Sequence, residues 1–202
     1  MNRLITIVGA SGVGKTTFVH ALAKTGNFAT ALEQHAERPF QVLFKQDKRF
    51  ALANQMDYLL FRAEQEREVR LASQTGLIDG GLDLDFHCFT RLFLSRGLLT
   101  EPEYDLCRRL YNFIRAALPP PDLIVRLVAD SETVAGRLST RERINIARAE
   151  DMALFNSFVD EWLASLPSNQ ILTLDVTNES MDYDQSTELI LDQAENILNA
   201  IQ

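Results

Sequence analysis

Cysteine, histidine and tryptophan are all scarce in this chain: two, three and one among 202 residues. Cys88 and Cys107 have neither metal-ligand spacing nor enough companions for a disulfide framework, which fits a reducing, cytoplasmic setting. His87 beside Cys88 is a weak metal signal, and a half-buried helical histidine explains it as well. No apolar run approaches the roughly 20 residues of a membrane span. The earliest one, Ile5 to Val8, is too short for a signal-peptide core and runs into glycine. Positive charge is the minority sign, 20 Lys and Arg against 28 Asp and Glu, for a net charge of −8. No lysine- or arginine-rich block is present, so the expected partners include no nucleic-acid polymer and no membrane. Proline is rare too, and three of the six stand together at Pro119-Pro120-Pro121, a rigid connector.

Glycine is nearly as sparse, nine in all, yet Gly9, Gly12 and Gly14 fall in one stretch, ITIVGASGVGKTTF. The pattern Gly9-x4-Gly14-Lys15-Thr16 matches the phosphate-binding loop template. Glycines let a polyphosphate approach backbone N–H groups, which form an anion nest at a helix N-terminus. Lys15 can reach the β- and γ-phosphates, and the Thr16 hydroxyl can ligate Mg²⁺. The candidate nucleotide-binding residues are therefore Gly9, Ser11, Gly12, Val13, Gly14, Lys15, Thr16 and Thr17, with ATP and Mg²⁺ as cofactors. The loop does not name the acceptor.

Around it, apolar patterning predicts strands near 3–8, 28–32, 77–79, 123–128 and 171–174. Helices are predicted over 15–24, 47–73, 82–96, 101–117, 142–165 and 184–201, with another following a cap at Ser131. Strand–helix alternation implies a parallel sheet covered on both faces, with ligands at the carboxyl ends of the strands. Asp79, Asp130 and Asp175 close three of these strands, and Glu33 closes a fourth. A Mg²⁺–nucleotide needs one acidic group at the metal, and transfer to a hydroxyl benefits from a second that takes the proton. Asp130, followed by Ser131, reads as a helix cap; Asp79 and Glu33 are the functional candidates.

Several stretches, in order, resemble the deoxynucleoside kinase family, nearest its bacterial purine-deoxynucleoside branch. They are the phosphate loop, Glu33 with Pro39-Phe40 after it, ALANQMDYLLFR (51–62), the segment from GLIDGG to LYNFI, PPDLIVRLVADSETVAGRLSTRER, and the closing VDEWL and ILTLD. The resemblance implies one P-loop kinase-like α/β domain over 1–202. It would be a three-layer fold with about five parallel strands flanked by helices and an arginine-rich lid at about 137–147. It implies Glu33 as the base on the nucleoside 5′-hydroxyl and Lys15 on the phosphates. Thr16 and Asp79 would stand at the metal, with Gln55 and Arg62 at the acceptor and Arg137, Arg141 and Arg143 on the transferring group. Asp83 and Asp85 are each able to meet the acceptor's polar edge or simply start a helix, and Asp83 is taken as the acceptor contact. Family subunits pair through helices of the 82–117 region, which implies a possible homodimer.

The chain departs from the family where an acidic-Arg-Ser motif is due: here it reads Asp79-Gly80-Gly81. Gln34 also stands where proline is favoured. Three explanations compete: another arginine (Arg38, Arg62 or Arg70) replaces the lost one, the acceptor is not a deoxynucleoside, or the chain binds nucleotide without useful transfer. The expected function is ATP-dependent phosphorylation of a small hydroxylated acceptor, foremost a deoxynucleoside. The alternatives are a kinase for a different small molecule or a nucleoside monophosphate, and a nucleotide-binding regulatory protein with little turnover. Phe86, Phe89, Phe93, Phe155, Phe158 and Trp162 read as core at helical spacing, with one phenylalanine of the first three able to stack on a base.

Overall fold

The computed structural model describes residues 2–32, 37–139, 151–180 and 182–199. Glu33, Gln34, Arg141 and Arg143, and all but the first three residues of the expected lid, lie outside that set. The described elements run β1 (Leu4–Val8), α1 (Lys15–Thr25), β2 (Phe28–Ala31), α2 (Pro39–Gln46), α3 (Ala51–Leu71) and β3 (Thr75–Asp79). A composite helix α4 (82–95) follows, then α5 (Glu101–Ala117), β4 (Leu123–Val128), α6 (Ser131–Ser139), α7 (Met152–Ala164), β5 (Ile171–Asp175) and α8 (Asp184–Asn199).

The five strands form one parallel sheet in the order β2-β3-β1-β4-β5. Successive side chains of a strand point to opposite faces, and β1 shows what each face buries. Ile5 and Ile7 join Phe18 and Leu22 of α1 and Ile190 of α8 in one core. Val8 meets α4 and α7 through Leu84, Leu92, Phe155, Phe158 and Trp162. A further cluster, with Phe86, Phe93 and Cys107, joins α3, α4 and α5. Helices therefore cover both faces, and the carboxyl ends of β1 and β3 open side by side, with Ile7 paired to Asp79.

Two helices differ from expectation, and two strand-end aspartates take local structural roles. Pro39–Gln46 forms a helix of its own, separated from α3 by a turn in which the Asp47 carboxylate accepts from the Arg49 amide at 2.9 Å. The cap of α6 is Asp130, as its place before Ser131 suggested, and Ser131 is the first helical residue: Asp130 accepts the Thr133 amide at 2.7 Å, and that bond lowers its pKa. Asp175 likewise accepts the Thr177 amide at 3.0 Å as a turn former. Helix α4 contains a π-helical stretch, Asp85–Thr90, between α-turns Leu82–Leu84 and Arg91–Ser95. Such an extra residue inside a helix is common at functional sites.

Candidate active site

The loop after β1 takes its shape from glycine. Gly9, Gly12 and Gly14 have φ of 141°, 86° and 107°, a region closed to most side chains. A Cβ at Gly14 would also stand 2.2 Å from the Tyr183 hydroxyl, so the loop has no room for one. Gly14 leads into α1, and Lys15 reaches back over the loop to the carbonyls of Gly9 and Ala10, both at 3.0 Å. Its ammonium thus lies over the concavity where backbone N–H groups gather at a helix start.

The end of β3 supplies the opposite wall. The Thr16 hydroxyl donates to Asp79 Oδ2, and Asp79, 1% exposed, has no partner on Oδ1 among the described residues. A hydroxyl and a buried carboxylate with an unused oxygen form an all-oxygen pair of the kind Mg²⁺ takes beside a polyphosphate. The residues present therefore fit that ion. Ser11, Gly12, Gly14, Lys15 and Thr16 share one concavity with Arg62, Asp79, Gly80, Leu84, Asp85 and Phe89.

Of the three candidate arginines, Arg62 is the one beside the glycine pair. It sits on α3, and its Nε donates to Asp85 Oδ2 at 2.7 Å and its Nη1 to the Asp79 carbonyl at 3.2 Å. A Cβ at Gly80 would lie 3.6 Å from Arg62 Nη2. The guanidinium from α3 thus borders the volume that a side chain at position 80 would enter. Gln65 fixes it further, accepting from Arg62 at 3.1 Å and donating to the Leu32 carbonyl at 3.0 Å. The other two candidates are committed elsewhere. Arg38 pairs with Asp57 over the Phe61 ring, and Arg70 pairs with Glu66 and donates to the carbonyls of Pro119 and Pro120.

Two expectations are corrected. Asp83 does not line the concavity. Its carboxylate accepts from Tyr111 at 2.7 Å and from Arg115 Nε and Nη2, both at 2.9 Å, while Arg115 also bridges to Glu66. Residues two apart on a helix point about 200° apart, so only one of Asp83 and Asp85 can face the cleft, and it is Asp85. Arg137 is not among the residues lining this concavity either. It donates to the Val13 carbonyl at 2.6 Å and the Val176 carbonyl at 3.3 Å, and its Nη1 stands 3.3 Å from where a Cβ at Gly14 would be, so it ties the loop to the end of β5.

Gln55 is buried on the Arg62 face of α3 and is held by the Thr90 hydroxyl at 3.1 Å. Thr17 lies on α1 beyond the concavity's wall, and Val13 turns its side chain into the core. Sequence reasoning missed Thr90, whose signal was its register on α4 about one turn after Asp85; Phe89, beside it, both packs on the core and lines the concavity. His87 is no ligand: it meets the Tyr111 hydroxyl at 3.2 Å and stacks on Trp162. Burial, with Arg91 and Arg115 nearby, lowers its pKa to about 4. Among the described residues no cluster of three or more His, Cys, Asp or Glu is placed to hold a metal by itself, and no helix is long and apolar enough to cross a membrane.

Comparison with known proteins agrees with this geometry. A deoxynucleoside kinase family model matches residues 5–199. A deoxyadenosine/deoxycytidine kinase of Bacillus subtilis is 25% identical over 207 residues, covering 98% of this chain and 94% of the relative. A deoxyadenosine kinase of Dictyostelium discoideum is 28% identical over 140 residues, 69% of this chain and 57% of its own. Two solved structures of a deoxyadenosine kinase from M. mycoides share the fold. One, with the products dCMP and a flexible dCDP bound, has a TM-score of 0.76 at 19% identity and covers 96% of this chain and 99% of its own. The other, with dATP bound, has a TM-score of 0.75 at 20% identity and covers 95% and 98%. With its phosphate-binding loop, its Thr16–Asp79 pair and this match along nearly its whole length, the chain belongs to the deoxynucleoside kinase family, enzymes that transfer a phosphoryl group to a deoxynucleoside.

Proposed function

We propose that this chain uses a Mg²⁺–nucleoside triphosphate, ATP foremost, to phosphorylate the 5′-hydroxyl of a deoxynucleoside with an amino-bearing base. The observation that carries the reading is Arg62, whose guanidinium borders the space beside Gly80 and lines one concavity with Lys15, Thr16 and Asp79. The loop amides and Lys15 hold the phosphates. Thr16 and Asp79 hold Mg²⁺, which neutralises charge on the transferring group when bound. Glu33, next in the chain after Leu32, accepts the proton of the 5′-hydroxyl, and Arg62 orients that hydroxyl in place of the absent motif arginine. Asp85, an acceptor-only carboxylate when ionised, faces a base amino group, which disfavours a carbonyl at that position. Gln55 reads the neighbouring edge, and Phe89 lies flat against the base. Arg141 and Arg143 close on the phosphates, while Arg137 ties the loop to the end of β5.

One domain carries both halves of the site, and the enzyme works in the cytoplasm, consistent with its two free buried thiols. It functions as a homodimer. Helices α3 and α5 pack on each other and expose Leu60, Leu71, Leu106 and Phe113, the last 78% accessible. A regulatory binder with little turnover would use Lys15, Thr16 and Asp79 equally, but it has no need of Arg62 beside the acceptor space. Nothing favours another small molecule or a nucleoside monophosphate as acceptor.

The test is ADP formation with Mg²⁺–ATP against the four deoxynucleosides, their ribose forms and their monophosphates. Deoxyadenosine and deoxycytidine should stimulate turnover. Lys15→Ala and Glu33→Gln should abolish it, and Arg62→Met should lower kcat/KM about 10²–10³-fold, the scale of losing one preorganised donor. A panel without any stimulation, by a chain that still binds ATP, would sink the proposal.

A further inference from the structure

Thr90 is wholly buried in the π-helical stretch of α4, and its hydroxyl lies between two acceptors from different elements. Gln55 Oε1 of α3 is at 3.1 Å, and the Asp85 carbonyl, five residues back on its own helix, is at 3.0 Å. The second distance depends on the π-turn, which brings residue i within reach of i−5. The same turn therefore sets the aspartate, the threonine and, through the threonine, the glutamine. A hydroxyl has one proton to give and two lone pairs to receive. When it donates to Gln55 Oε1, the carboxamide keeps its oxygen inward and turns its NH₂ away. When it donates to the Asp85 carbonyl, it can instead accept from the Gln55 NH₂, and the oxygen turns away.

We infer that Thr90 is a positioning residue for base selectivity: it acts through the Gln55 amide and never touches the nucleoside. Both amide orientations leave the inner end of Gln55 hydrogen-bonded, so the threonine lets one glutamine present either a donor or an acceptor. A residue without the hydroxyl leaves that inner end unpaired in a buried site. An orphaned N–H is tolerated less well than an under-used carbonyl oxygen. Such a variant holds the oxygen inward and offers the base only NH₂. This inference rests on the nucleoside-kinase reading above and adds a residue that sets its substrate range.

Thr90→Val tests it, with Thr90→Ala in reserve against a folding failure and Thr90→Ser as the conservative control. Purified chains are compared for kcat and KM with deoxyadenosine, deoxyguanosine and deoxycytidine, and for direct binding of each nucleoside by calorimetry. Thr90→Val is expected to change the ratio of kcat/KM between the best and second-best nucleosides at least tenfold, with the change in KM and Kd. Thr90→Ser should restore the ratio. In a Gln55→Ala background the same substitution should leave the ratio unmoved, because the effect passes through that amide. A uniform fall across all three nucleosides, or an unchanged ratio, overturns the role of Thr90 and leaves the kinase reading standing. A wild-type chain that phosphorylates no nucleoside overturns both.

Discussion

Asn54 is fully buried on α3, and neither end of its carboxamide has a hydrogen-bond partner among the described residues. Its neighbour Gln55 and, further along, Arg62, Gln65, Glu66 and Arg70 are all bonded, so Asn54 is the exception on this helix. A buried polar group left unpaired costs about 1–3 kcal/mol, and an apolar side chain of similar size carries no such cost. Asn54→Leu is therefore expected to raise stability by about 1–3 kcal/mol, read as a higher urea midpoint at unchanged m-value. His87 makes the fold sensitive to acid. Its pKa falls to about 4 because it is buried and faces Arg91 and Arg115, while the Tyr111 hydroxyl and the Phe86 and Trp162 rings beside it are neutral. Between that value and the ordinary 6.5 the unfolded chain binds a proton that the folded chain refuses, so stability falls as pH drops through this window. The full effect is about 3 kcal/mol. Urea titrations from pH 7 to pH 4 should show it, and His87→Gln should flatten the slope. These residues also mark what sequence alone conveys. The loop was legible because glycine spacing, lysine and threonine are all dictated by one ligand. Arg62 was legible only as one of three arginines, because its reach to Gly80 depends on how α3 lies across β3.

At the scale of elements, α3, α4 and α5 are joined by buried charge. Arg115 of α5 bridges Glu66 of α3 and Asp83 of α4, and Tyr111 adds a hydrogen bond to Asp83. Two carboxylates share one guanidinium, so its removal leaves Asp83 without its cation and Glu66 with Arg70 alone. Arg115→Ala is expected to cost about 3–5 kcal/mol, the range for breaking a buried pair from one side. Restoring neutrality with Asp83→Asn in the same chain, while Glu66 keeps Arg70, should recover much of that loss in chemical denaturation. This cluster explains the error at Asp83. Two aspartates two residues apart announce themselves equally in the sequence, and only the packing of α5 decides which is tied down and which faces the cleft. The π-turn is hidden for a similar reason: its residues Asp85–Thr90 carry a helical apolar pattern that does not reveal an added residue.

For the molecule as a whole, the exposed apolar residues of α3 and α5 set the expected assembly. Phe113→Glu should convert a dimer to a monomer in sedimentation velocity while leaving the far-ultraviolet dichroism unchanged. Strand alternation made the parallel sheet readable, since five short apolar runs separated by helices have few other solutions. Strand order was not readable, because it is a matter of which edges meet in space. That order carries a consequence for synthesis. β1, first in the chain, is the central strand, bonded on one side to β3 and on the other to β4, and its Leu4 amide is held by the Asp122 carboxylate at 2.7 Å. A nascent polypeptide that has emerged only as far as α5 has therefore built half a sheet, with the apolar inner edge of β1 bare. Such an edge invites pairing with other chains. The ribosome-bound intermediate is thus a natural client for a chaperone until residues 123–128 arrive to close it.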